Sequence, residues 1–106
     1  MAQWLVLRHL VRALARAGVG HQALFTAAAR PFVQHVAAMN GSDLAEIAQA
    51  YAHFGWRHRK LLEAIAMALP STRFSIAELT AVLQSFAALR FEDEGLKHLA
   101  LLRQRF

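Results

Sequence analysis

The stretch Leu44-Ala-Glu-Ile-Ala-Gln-Ala-Tyr-Ala-His-Phe-Gly-Trp56 decides how this chain folds. Leu44, Ile47, Ala48 and Tyr51 fall three and four residues apart, the spacing that lines one face of an α-helix. Gly55 supplies the stop, because glycine takes the left-handed conformation that ends many helices at little cost. Upstream, Ser42-Asp43 offers an N-cap, and Glu46 stands three residues after Asp43 in the capping-box position. The stretch reads as one helix with both ends marked.

The same pattern lies on either side of it. A shift of 37 residues carries Leu7, Leu10, Ala13, Leu14 and Ala15 onto Leu44, Ile47, Ala50, Tyr51 and Ala52, and Gly18 onto Gly55. It also carries Val19 onto Trp56 and Leu24-Phe25 onto Leu61-Leu62. A shift of 35 then carries Leu44, Ile47, Tyr51, Ala52, Phe54 and Trp56 onto Leu79, Val82, Phe86, Ala87, Leu89 and Phe91. Any two amphipathic helices match at apolar positions. What they do not share by chance is the stop, the large apolar residue after it and the spacing to the next helix. A period in this range marks stacked helical hairpins whose apolar faces are buried by their neighbours.

Working outward, the spacing predicts six helices and no strand, since no segment alternates with period two. The first runs from about Gln3 to Ala17 and ends at Gly18. The second runs from about His21 to Ala38, with a kink or break expected near Arg30 because Pro31 lacks an N–H. The third ends at Gly55, and the fourth, from about Arg57 to Leu69, ends at Pro70. Ser75 and Glu78 form a second capping box before the fifth. The sixth spans about Glu92 to Arg105. The expected fold is all-α: a right-handed stack of three antiparallel helical hairpins, a short α-solenoid of about six helices. It forms a single domain over residues 1–106, with repeats at about 4–40, 41–74 and 75–106.

Composition narrows the function. The chain is 57% apolar and 18% charged, against usual shares of about 45–50% and 25%. A domain of this length cannot hide all of that excess, so apolar surface facing neighbouring proteins is expected. No run approaches the roughly 18 apolar residues of a membrane span. The net charge is +5, and residues 1–42 contain Arg8, Arg12, Arg16 and Arg30 with no acid. There is no cysteine, so neither a disulfide nor a thiolate metal site is available. The six histidines show no ligand spacing, and no nucleophile elbow, phosphate loop or carboxylate pair appears. The reading is a binding protein rather than an enzyme, without cofactor, metal or small-molecule substrate.

The segments Leu44 to Trp56 and Leu79 to Phe91, each followed by a second helix with a Leu-rich start, resemble the heptatricopeptide-like helical repeats of the FAST-kinase-like and RAP-domain proteins. The resemblance covers nearly the whole chain and is best from Leu44 to Leu99. It implies an organellar RNA-binding role, since members typically bind RNA in organelles and shorter relatives occur in divergent mitochondrial ribosomes. No RAP domain is expected within this sequence, so the resemblance does not imply nuclease-like activity.

Two basic groups suit such a partner. Arg8, Arg12 and Arg16, at i, i+4 and i+8, share one side of the first helix and have no acid nearby in sequence, so they are expected to track backbone phosphates. Arg57, His58, Arg59 and Lys60 cluster at the start of the fourth helix. There cations oppose the helix dipole unless an anion is bound. Trp56 beside them aligns with Val19 and Phe91 and reads as core. The acid-free, Arg-bearing N-terminus also resembles a mitochondrial presequence. The expected function is an RNA-contacting structural component of an organellar ribonucleoprotein, a mitochondrial ribosome protein that touches rRNA phosphates and neighbouring proteins. The alternative is a helical protein–protein scaffold, or accessory subunit of a mitochondrial membrane complex, without RNA contact. A helix-turn-helix DNA binder fits poorly, because the central helices are too apolar to read a groove.

Overall fold

The computed structural model of the protein describes residues 3–90. Its elements are helices only: α1 (Gln3–Ala17), α2 (Gln22–His35), α3 (Gly41–His53), α4 (Arg59–Ala68) and α5 (Ile76–Ala88), with 3-10 turns at Val36–Ala38 and Leu69–Ser71. The sixth helix expected over residues 92–105 lies outside the described residues, as does the second half of the third repeat.

The helix ends explain the boundaries. After α1, Gly18 adopts φ +69° while its N–H bonds the Ala15 carbonyl and that of Val19 bonds Leu14. After α3, Gly55 adopts φ +70° with the corresponding bonds to Ala52 and, from Trp56, to Tyr51. Both are Schellman caps, which satisfy carbonyls the helix leaves open. Arg90, just after α5, is also left-handed at φ +54°, its N–H bonded to the Ala87 carbonyl. A side chain there sits where glycine is favoured.

Three local expectations need correction. The N-cap of α3 is Asn40, not Ser42 or Asp43. Asn40 accepts from the Asp43 N–H at 2.9 Å, and Asp43 accepts from the Asn40 N–H at 3.1 Å. Several residues here are competent caps, and the box begins one turn earlier, which releases Glu46 for other contacts. Second, α2 does not break at Arg30. It continues through Pro31 to His35 and only then tightens into the 3-10 turn. The proline removes one backbone donor, and the carbonyl it would have met belongs to Ala27, on the exposed side. Third, the alignment of Leu10 with Ile47 predicts a core position, yet Ile47 is buried while Leu10 is exposed, as is Val6 one turn before it.

Most of the packing joins helices that are not adjacent in sequence. Between α1 and α5 lies α3, packed against both, and α2 packs against α1 and α4. This position explains the composition of α3. Gly41, Asp43, Leu44, Ala45, Ile47, Ala48, Ala50 and Tyr51 are all buried, so only a narrow polar strip remains. The entry to α3 is tight. A Cβ on Gly41 would lie 2.6 Å from the Arg73 carbonyl oxygen and 3.0 Å from the Phe74 ring. Phe25, Phe32, Tyr51 and Phe86 are the largest buried side chains and join Leu44, Ile47, Leu61, Leu62 and Ile65 in one core. Each such side chain contributes about 1.5–3 kcal/mol by burial. Within the core the Tyr51 hydroxyl donates to the Phe25 carbonyl, linking α3 to α2, and burial pushes the phenol pKa well up. Among the described residues no helix is long and apolar enough to cross a membrane.

Candidate nucleic-acid interface

The two basic groups meet different fates. Arg8 Nε lies 3.1 Å from Asp43 Oδ1, in ion-pair range though not aligned for a hydrogen bond, and Arg8 also donates to Glu46. Arg12 lies 3.2 Å from the other oxygen of Glu46. The Arg8 side chain is only 12% exposed and that of Asp43 10%. The expectation of an unpaired stripe along Arg8, Arg12 and Arg16 is therefore corrected. Opposing acids come from α3, which packs against α1, and they were invisible to a search along α1 alone. Arg16 alone of the three has no acidic partner among the described residues. It lines a separate hollow with Arg12, Glu46, Gln49 and His53.

The second group is partly neutralised too. Arg59 donates to Glu63 at 2.8 Å one turn along α4, and this bond, then the carboxylate charge, raises the Arg59 pKa. The Arg59 side chain is 85% exposed, where such a pair contributes little to stability. His58 is the N-cap of α4: its Nδ1 accepts from the Leu61 N–H at 3.4 Å. His21 caps α2 in the same way, accepting from Leu24 at 3.1 Å. The shift of 37 that relates Leu24 to Leu61 also relates these histidines. That match is a signal the reading of the sequence passed over. Arg57 and Lys60 are exposed and have no acidic partner among the described residues.

What the structure adds is Arg30. A hollow of about 520 Å³ between α2 and the start of α4 is lined by Thr26, Arg30, Val33, Gln34, His58 and Lys60. A second, of about 300 Å³, shares Thr26 and His58 with it and is lined further by Gln22, Phe25, Tyr51, Gly55, Trp56 and Arg57. Among the described residues neither lining contains a carboxylate, so Arg30, Arg57 and Lys60 present one sign of charge to whatever enters. Trp56 is only half-buried. Its indole stacks on Phe54 at 4.8 Å and makes a T-shaped contact with Phe25 at 4.9 Å, and it also lines the second hollow. The core reading of Trp56 thus holds for one side of the ring. Arg30 belongs to neither basic group of the sequence because no other cation lies near it in the chain, and only the packing of α2 on α4 brings it to the same hollow as Lys60.

Among the described residues no group of three His, Asp or Glu side chains is placed to hold a metal ion. Searches against protein-family models, curated proteins and solved structures find no match to this chain.

Proposed function

We propose that the protein is an RNA-contacting structural component of an organellar ribonucleoprotein, with the mitochondrial ribosome as the assembly that suits it best. The observation that carries this reading is the pair of hollows, without a carboxylate among the described residues, that Arg30, Arg57 and Lys60 line. Cations on a groove with no opposing charge favour a polyanion, and Arg in particular suits the two oxygens of a phosphate. The resemblance to organellar helical-repeat proteins, read from the Leu44–Trp56 and Leu79–Phe91 segments, agrees with it and supplies the mitochondrial location.

In this reading the chain is a short right-handed α-solenoid of three diverged hairpins. In support, α1, α3 and α5 pack as one row, α2 packs on α4, and all three first helices end in a left-handed residue. Such stacks bind along an extended surface and leave their ends open to neighbours. Met67 and Ile76, 80% and 83% exposed, and the Val6–Leu10 pair on α1 are the apolar surface that adjoining proteins cover. Those side chains are also what a pure protein scaffold would need, and that scaffold is the competing reading.

Crosslinking with mass spectrometry on the native complex separates them. Nucleotide adducts on peptides containing Gln22 to Gln34 or Arg57 to Lys60 are expected. Abundant protein crosslinks without nucleotide adducts would remove the RNA reading and leave the scaffold.

A further inference from the structure

Phosphate contact alone would account for Arg30, Arg57 and Lys60, but not for the aromatic hollow that adjoins them. We propose that the two hollows together seat one unpaired nucleotide of a single RNA strand, its base against Trp56 and its phosphate between Arg30 and Lys60. The proposal rests on the RNA reading above and names the form of RNA and the seat of the base.

Three observations carry it. The first is that the aromatic wall is held in place. Phe54 stacks on the indole, Phe25 makes a T-shaped contact with it, and the Gly20 backbone stands close by, with a Cβ there lying 3.4 Å from both Phe54 and Trp56. A ring fixed in this way offers its free surface without losing side-chain freedom on binding. The second is the rim. Gln22 and Thr26 line the aromatic hollow, and neither has a partner among the described residues. An amide and a hydroxyl each both donate and accept, which suits the edge of a base. The third is the arrangement of charge. Thr26 and His58 line both hollows, so the cations of one stand beside the aromatic wall of the other. Arg57 lies at the aromatic hollow itself, where a guanidinium meets either a phosphate or a ring face. Basic groove and aromatic wall together are the usual means of holding single strands. A base locked in a duplex stack cannot enter, so single strands are selected over duplexes.

The test uses the full chain and three fluorescein-labelled probes: a ten-nucleotide oligouridine, the same backbone with every base removed, and a ten-base-pair RNA duplex. Oligouridine is expected to bind about tenfold more tightly than the abasic strand, with the same salt dependence, and more tightly than the duplex. Substituting Trp56 risks the core, so Gln22→Ala, at an exposed position, is the variant of choice. It should narrow the gap between oligouridine and the abasic strand while leaving helicity by circular dichroism unchanged. Equal affinity for oligouridine and the abasic strand would overturn the base seat yet leave phosphate contact standing, as would a preference for the duplex. Binding of neither strand at low salt, or displacement of oligouridine by polyglutamate at equal charge, would overturn the RNA reading and this inference with it.

Discussion

Arg8 on α1 reaches Asp43 at the start of α3, Nε to Oδ1 at 3.1 Å, while the same guanidinium donates to Glu46 one turn further on. Asp43 meanwhile caps α3 through its other oxygen. One carboxylate thus fixes the beginning of a helix and the seat of its neighbour. With Arg12 on Glu46, two cations face two anions across the α1–α3 contact.

Breaking that contact should cost stability rather than RNA affinity. Glu46→Ala removes the shared partner of Arg8 and Arg12 and leaves a nearly buried guanidinium with Asp43 alone. A loss of about 1–3 kcal/mol is expected, because an under-partnered buried charge costs more than an exposed pair contributes. Urea unfolding of Glu46→Ala, Arg8→Ala and the double variant measures the coupling. Additive effects would contradict the network.

Gly41 is fixed by crowding, not by its backbone angle. In Gly41→Ala the new Cβ meets the Arg73 carbonyl at 2.6 Å and the Glu78 carboxylate at 2.9 Å. The loop between α4 and α5 must shift, at about 1–3 kcal/mol, which outweighs a gain of at most about 1 kcal/mol in helix propensity. Thermal unfolding should show a Tm lower by several degrees. An unchanged Tm would mean that this loop yields freely.

Arg90 offers the opposite sign. It holds the left-handed position that Gly18 and Gly55 hold after α1 and α3. Arg90→Gly relieves strain of about 1–2 kcal/mol, less the added freedom of the unfolded chain. A net stabilisation of about 0.5–1 kcal/mol is expected in denaturant titration. A destabilised variant would show that the Arg90 side chain makes a contact worth more than the strain.

Tyr51 is the single tyrosine of the chain, so its titration is directly visible. Burial raises its folded-state pKa above the ordinary 10.0. Below pH 10 both states keep the proton, and stability does not depend on this group. Above it the unfolded chain ionises first, so stability falls with rising pH, by up to about 1.4 kcal/mol per pH unit. Phenolate absorbance should appear together with unfolding, not as a separate earlier step. Tyr51→Phe should abolish that signal and cost about 1 kcal/mol through the lost bond to the Phe25 carbonyl.

How far the sequence led follows from the range of its signals. Helix spacing and stops are local, so they give α1 to its last residue and the Ser75–Glu78 box in its observed place. Rival caps are local too but compete. Asn40, Ser42 and Asp43 are all competent, and the choice depends on how α3 enters its contact with the Arg73 loop. Charge pairing is not local at all. Arg8 and Arg12 looked free because their acids lie on the next helix in space, and Arg30 looked isolated because Lys60 comes from another. Recurrence held information that single residues did not: aligning His21 with His58 marks two equivalent helix starts, and the basic hollows open beside the second.

The central claim is that Arg30, Arg57 and Lys60 hold RNA phosphates while Arg8 and Arg12 are engaged by α3. Salt dependence of oligouridine binding tests it most directly, comparing the natural chain with the Arg30→Gln/Arg57→Gln/Lys60→Gln variant. Release of the phosphate shared by Arg30 and Lys60, and of a second at Arg57, should flatten the slope of log affinity against log salt by about 1.4 on a single strand, with the fold retained because all three side chains are exposed. A variant that binds with the slope and affinity of the natural chain would contradict the account.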